Sequence, residues 1–147
     1  MLRKRFFMDV VSKKKRSEMM SGIRGKNTKP ELEVRKYLYS RGFRYRIHVS
    51  SLPGCPDIVL KKYKQVIQVR GCFWHGHHCK LGSKPKSNRM FWNNKIKHNK
   101  IRDSRNDRKI KRLGYKLLVI RECYIRKNLH KSLLDRHFRI FVPYHIF

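Results

Sequence analysis

The chain has 147 residues and sets 39 Lys and Arg against 9 Asp and Glu, a formal net charge of +30. Self-repulsion on that scale destabilises a compact state and is best tolerated when the normal partner is a polyanion, so composition points to nucleic acid, with a membrane surface or a Lys-favouring genome as rival sources of the charge. With 39% hydrophobic and 12% aromatic residues the chain can bury one core, which argues against disorder throughout and predicts a single domain. No run approaches 18 apolar residues and no basic segment leads into an apolar one, so neither a membrane span nor a secretory signal is expected, and the cytoplasm is the predicted compartment.

Residues 1–11 read as a basic arm, and residues 12–147 as the domain, its end from about residue 124 the least patterned part. Ser12 to Arg24 carries Met19, Met20 and Ile23 at helical spacing, with Gly22 and Gly25 limiting the helix. Thr28, Pro30 and Glu31 form a capping-box pattern that opens a second helix, with Leu32, Arg35, Leu38 and Tyr39 on one face and Gly42 as its stop. Three strands are predicted next: Phe43 to Val49, which alternates, Asp57 to Leu60, and Gln65 to Val69 after a turn at Tyr63. Residues 71–87 have loop composition, Asn88 to Leu113 reads as a basic helix closed by Gly114, Tyr115 to Ile120 as a fourth strand, and residues 124–136 as a last helix. The order α-β-β-β-α-β predicts an α/β domain, a mixed sheet flanked by helices.

The segment Gly71-Cys72-Phe73-Trp74-His75-Gly76-His77-His78-Cys79 holds the densest chemistry. Cys72, His77 and Cys79 have a spacing that a loop can fold around Zn²⁺, and Cys123 at the end of the fourth strand completes four N/S ligands, a closed and therefore structural site. His78 competes with His77 for the fourth place, and Cys55 is left over as a small core residue. Phe73, Trp74 and Trp92, set among basic segments, are candidates to stack on or wedge between bases, against the alternative that they are core.

Acidic residues are so scarce that each carries information. Asp57 is followed eleven residues later by Gln68-Val69-Arg70, a degenerate version of the acid-x-Lys triplet with which many nucleases hold Mg²⁺ beside a scissile phosphate. Gln68 brings no charge and Arg70 is no base near neutral pH; His75 is the candidate base, with Asp103 on the basic helix to orient it. Lys95, Lys97, Lys100, Arg102, Arg105 and Arg108 are expected on phosphates, and Asn94 and Asn99 at base edges.

Together these residues resemble the very short patch repair endonucleases. The resemblance rests on Lys15 to Ile23, Leu52-Pro53-Gly54-Cys55-Pro56-Asp57, Gly71 to His77, Phe91-Trp92 and Val119-Ile120-Arg121-Glu122-Cys123, and covers roughly residues 12–125. It implies a restriction-endonuclease-like fold and a nicking enzyme that cuts 5′ of the thymine at T:G mismatches left by deaminated 5-methylcytosine, a monomer working in the cytoplasm, at the nucleoid, beside other repair proteins. It further implies that Asp57 and the backbone carbonyl of Val69 bind Mg²⁺, that His75 is the general base, and that Glu31 and Asp103 support it. Cys72, His77, Cys79 and Cys123 would hold the structural zinc. Phe73, Trp74 and Trp92 would wedge into the duplex beside the mismatch, with Met20 and Ile23 entering from the other groove, and Lys95 and Asn99 would read the mismatched pair. The sequence departs from the family at Arg70, where His or Asp is usual, so a fixed cation replaces a helper near the metal. A zinc-containing DNA-binding module without catalysis, or a restriction-type endonuclease of the same fold, are the alternatives.

Overall fold

The computed structural model describes residues 12–22 and 25–139. Its elements are helices α1 (Lys13–Ser21) and α2 (Lys29–Ser40), strands β1 (Arg46–Ile47), β2 (Ile58–Leu60) and β3 (Gln65–Arg70), helix α3 (Arg89–Arg112), strand β4 (Lys116–Arg121), and helices α4 (Glu122–Arg126) and α5 (Leu129–Phe138). The strands make one sheet in the order β1-β2-β3-β4, with antiparallel pairs up to β3 and a parallel β3–β4 pair. That parallel pair needs a long crossover, and α3 supplies it.

Both faces of the sheet are covered, which is why β2 and β3 read as near-continuous apolar runs. Ile58, Leu60, Ile67 and Ile120 pack with Val34 and Leu38 of α2, Ile125 of α4 and Leu134 of α5; on the opposite face Val59 and Val66 meet Ile110 of α3. The result is an α/β/α arrangement with the mixed sheet and flanking helices that the sequence predicts.

Helix α2 starts at Thr28 as expected, but the capping box forms in altered form: Thr28 Oγ1 donates to Glu31 Oε1 (2.9 Å) while the Asn27 N–H donates to Glu31 Oε2 (3.0 Å). Two predicted elements differ. The first strand, expected over Phe43 to Val49, pairs only at Arg46 and Ile47, because His48 adopts a left-handed φ of 47° that ends the pleat. Phe43 and Tyr45 still pack on the core. The last helix is two helices, divided at Asn128 (φ 55°), and it extends beyond residue 136 so that Phe138 stacks on Phe43 with ring centroids 4.6 Å apart. Residues 1–11 and 140–147, and with them the predicted arm, lie outside the described residues, as does Ile23. No helix among the described residues is long and apolar enough to cross a membrane.

Candidate active site and metal-binding loop

Because β2 runs antiparallel to β3, its first residues lie beside the last residues of β3. Asp57, just before β2, therefore meets Val69, whose N–H donates to Asp57 Oδ2 at 2.8 Å. Pro56 and the left-handed Cys55 (φ 52°) bend the chain into this position. Burial pushes the Asp57 carboxyl up to about 6 against the pull of the Val69 N–H; Glu31 adds to the rise, and Arg35 and Arg70 oppose it.

Asp57 lies in a cleft of about 760 Å³ whose wall includes Glu31, His48, Val69, Trp74, His75 and Asp103. Ligand atoms of Glu31, His48 and Asp57 lie within 4.8 Å of one another, a set able to hold a cation. Glu31 is buried and ion-paired to Arg35 (2.9 Å), and His48 Nε2 is 3.1 Å from Arg35 Nη2 and 3.9 Å from Glu31 Oε2. Glu31 thus supports the cleft through a network with Arg35 and His48. Burial, then Arg35, lowers the pKa of His48.

His75 and Asp103 are joined as expected, His75 Nδ1 donating to Asp103 Oδ2. Such a bond fixes the tautomer in which Nε2 is the acceptor. Burial lowers the pKa of His75, the Asp103 carboxylate opposes that, and Arg70 and Arg121 add to the fall, so the imidazole is neutral at pH 7. The loop holding it is pinned by backbone bonds from His75 N to Gly71 O (3.2 Å) and from His77 N to Cys72 O (2.9 Å).

Cys72, His77, Cys79 and Cys123 come together with their ligand atoms within 4.8 Å of one another, and His78 is exposed outside the group. Tetrahedral zinc with sulfur ligands at about 2.3 Å sets them about 3.8 Å apart, so the quartet fits that ion. Burial pushes the Cys72 thiol up to about 12, whereas Cys79, despite its own desolvation, is drawn down by the Cys72 thiol and the N–H groups of Gly82 and Leu81.

Phe73, Trp74 and Trp92 are half-buried and each touches the other two edge-on, with centroids 5.0 to 6.1 Å apart, so they form a ridge and not part of the core. Phe91 extends it, 52% exposed. Lys95 is exposed on α3. Asn99, expected at the mismatched pair, is 8% exposed and its Nδ2 donates to the Trp74 carbonyl at 2.9 Å. Its amide N–H is thus engaged in holding the aromatic loop. Cys55 is no core residue: it is half-buried and lines the Asp57 cleft. The Met20 side chain, like Ile23, lies outside what is described.

Arg70, the departure from the family pattern, is buried and donates through Nη2 to Asp107 Oδ1 at 2.5 Å. The sequence reading missed Asp107, His48, Asn106 and Glu122 as neighbours of the site. One signal was present: Asp107 follows Asp103 by four residues, one helical turn along the same face of α3.

Residues 8–81 match the family model described as DNA mismatch endonuclease Vsr. The chain is 45% identical over 129 residues to type II nicking enzyme V.NmeAIP of Neisseria meningitidis, covering 87% of this chain and 92% of that protein. It is 43% identical over 115 residues to type II nicking enzyme V.XorIIP of Xanthomonas oryzae (78% and 85% covered), and 39% identical over 118 residues to DNA mismatch endonuclease Vsr of Escherichia coli (80% and 76% covered). With the Asp57 cleft and the His75–Asp103 pair set on a mixed sheet flanked by helices, the chain belongs to the DNA mismatch endonuclease Vsr family and is a DNA endonuclease.

Proposed function

We propose that the protein is a Mg²⁺-dependent enzyme that nicks one DNA strand 5′ of the thymine at T:G mismatches, a product of 5-methylcytosine deamination, and so opens a short repair patch. The observation that carries this reading is the meeting, at one cleft, of a half-buried Asp57, a neutral His75 oriented by Asp103, and Trp74 of the aromatic ridge. The relative named a DNA mismatch endonuclease favours a mispaired substrate, and those named nicking enzymes favour a single cut.

Mg²⁺, held by Asp57 and the Val69 carbonyl with Glu31 and His48 beside them, would polarise the scissile phosphate and balance its charge. The donor set suits a hard cation, and Asp57, pushed up to about 6 by burial, gains from a positive neighbour. His75 takes the proton of the attacking water at Nε2, and Asp103 steadies the imidazolium that forms. Phe73, Trp74 and Trp92 enter the duplex beside the weak pair, with Met20 and Ile23 opposite and Lys95 at the mismatch. Asn99 acts by holding Trp74. Zn²⁺ on Cys72, His77, Cys79 and Cys123 ties the His75 loop to the end of β4. The domain beginning at residue 12 works as a monomer in the bacterial cytoplasm.

The test is a T:G duplex and its T:A control, each incubated with Mg²⁺ and with Mg²⁺ omitted. A single nick 5′ of the thymine, on the heteroduplex alone and with Mg²⁺ alone, is expected. Equal nicking of both duplexes refutes the mismatch specificity and leaves a restriction-type endonuclease.

A further inference from the structure

His75 and Asp103 also wall a second cavity, of about 430 Å³, which Asp57 does not line. Strands β3 and β4 are parallel and in register there, with Arg70 paired to Arg121, so both side chains leave the same face at the carboxyl ends of the strands. That end of a parallel pair is where α/β sheets hold ligands. Arg70 has Asp107 as its counter-charge; among the described residues Arg121 has no ion-pair partner, and its Nη1 is shielded from water with no acceptor. Lys100, Arg108 and Lys111 line the same cavity from one face of α3. Its two carboxylates are engaged, Asp103 by His75 and Asp107 by Arg70, which leaves four further Lys and Arg side chains in the lining, Lys100, Arg108, Lys111 and Arg121.

An unpaired guanidinium in a low-dielectric wall is costly, and its planar fork matches a phosphate. Arg70, His75 and Asp103 wall both cavities, so the two adjoin, and a backbone seated in the Asp57 cleft has this one beside it. We propose that the cavity binds one backbone phosphate of the strand being cut, adjacent to the scissile one, with Arg121 as its main ligand and Lys100, Arg108 and Lys111 at the rim. This assignment rests on the nicking function proposed above, and it makes Arg121 a positioning residue for that reaction.

The experiment couples protein and phosphate one at a time. Duplexes carrying a single neutral methylphosphonate linkage at successive positions around the nick are bound, in Mg²⁺-free buffer, to the wild type and to Arg121→Gln. One flanking linkage should weaken wild-type binding about ten-fold, the scale of a charged hydrogen bond. Arg121→Gln should weaken the all-phosphate duplex by a similar factor, be indifferent to that linkage, and lower the salt slope by about one. Additive losses at every position overturn the proposal. Should Arg121→Gln not fold, the exposed pair Arg108→Gln and Lys111→Gln takes its place, and coupling must again map to one linkage. Orthophosphate at constant ionic strength forms the other arm: a thermal shift of the wild type that Arg121→Gln loses, without any coupled linkage, assigns the cavity to free phosphate and overturns the DNA-strand assignment. A wild type that never nicks yet shows the coupling refutes the nicking function and leaves the phosphate site standing.

Discussion

Asp57 sits in its cleft at the expense of its own ionisation. Its ordinary value of 3.8 rises to about 6 in the fold, so the native state holds the proton more tightly than the unfolded chain. The contribution to stability is then fully present below 3.8 and is lost as pH rises through 6. Asp57→Asn, which keeps an oxygen acceptor for the Val69 N–H, should therefore raise the urea midpoint of metal-free protein at pH 7.5, leave it unchanged below about pH 4, and abolish nicking. An Asp57→Asn protein less stable than wild type at pH 7.5 contradicts this account. At His75 the expectation differs in kind: removing the imidazole leaves the ridge and the basic helix in place. His75→Ala should bind heteroduplex as wild type does and cut it at least about 100-fold more slowly, and near-normal cutting excludes His75 as the base.

At the scale of elements, the loop that carries Cys72, His77 and Cys79 is the part of the site with least helix or strand to hold it. Gly82 closes it: its N–H donates to Cys79 O at 2.9 Å, and a Cβ there would collide with the His77 carbonyl oxygen. Gly82→Ala should therefore displace His77, and the purified variant should carry well under one zinc per chain by metal analysis, as Cys123→Ser should, where wild type carries about one. A full complement of zinc in both variants removes this quartet as the site. The quartet was legible in the sequence because three of its ligands fall within eight residues of one loop. Helices α2 and α3 were legible for a similar reason, since Thr28, Pro30, Glu31 and Gly114 are local signals. What was not legible depends on tertiary register. The short β1 is set by the left-handed His48, which in sequence is one more polar residue in an alternating run. The Arg70–Asp107 pair and the facing Arg121 require knowing that β3 and β4 pair in parallel with Arg70 opposite Arg121, and which face of α3 covers them.

At the scale of the whole molecule, burial lowers four histidines among the described residues from their ordinary 6.5: His48, His75, His130 and His137. His130 is the extreme case, 1% exposed in α5 with neither ring nitrogen bonded among the described residues, packed edge-on to Tyr37 at 6.1 Å. A lowered folded value means that the unfolded chain binds more protons, so stability from these groups is complete above 6.5 and falls as pH drops below it. Asp57 slopes the other way between 3.8 and about 6. The +30 charge grows as histidines titrate, and its self-repulsion adds to the slope of the histidines. The urea midpoint should thus be flat from pH 7 to 8 and fall steadily from pH 6.5 to 5. His130→Leu removes a buried polar ring of similar volume and should shallow that fall without touching the cleft, whereas Asp57→Asn, having lost the opposing slope, should steepen it. A midpoint that rises on acidification to pH 5, or a His130→Leu profile parallel to wild type, refutes buried neutral histidine as the source of acid sensitivity. The measurement also bears on function: a protein this basic binds polyanions more tightly as pH falls, so nicking that declines below pH 6.5 while duplex affinity climbs places the loss in the fold, in Asp57 protonated near 6 and in His75, not in DNA binding.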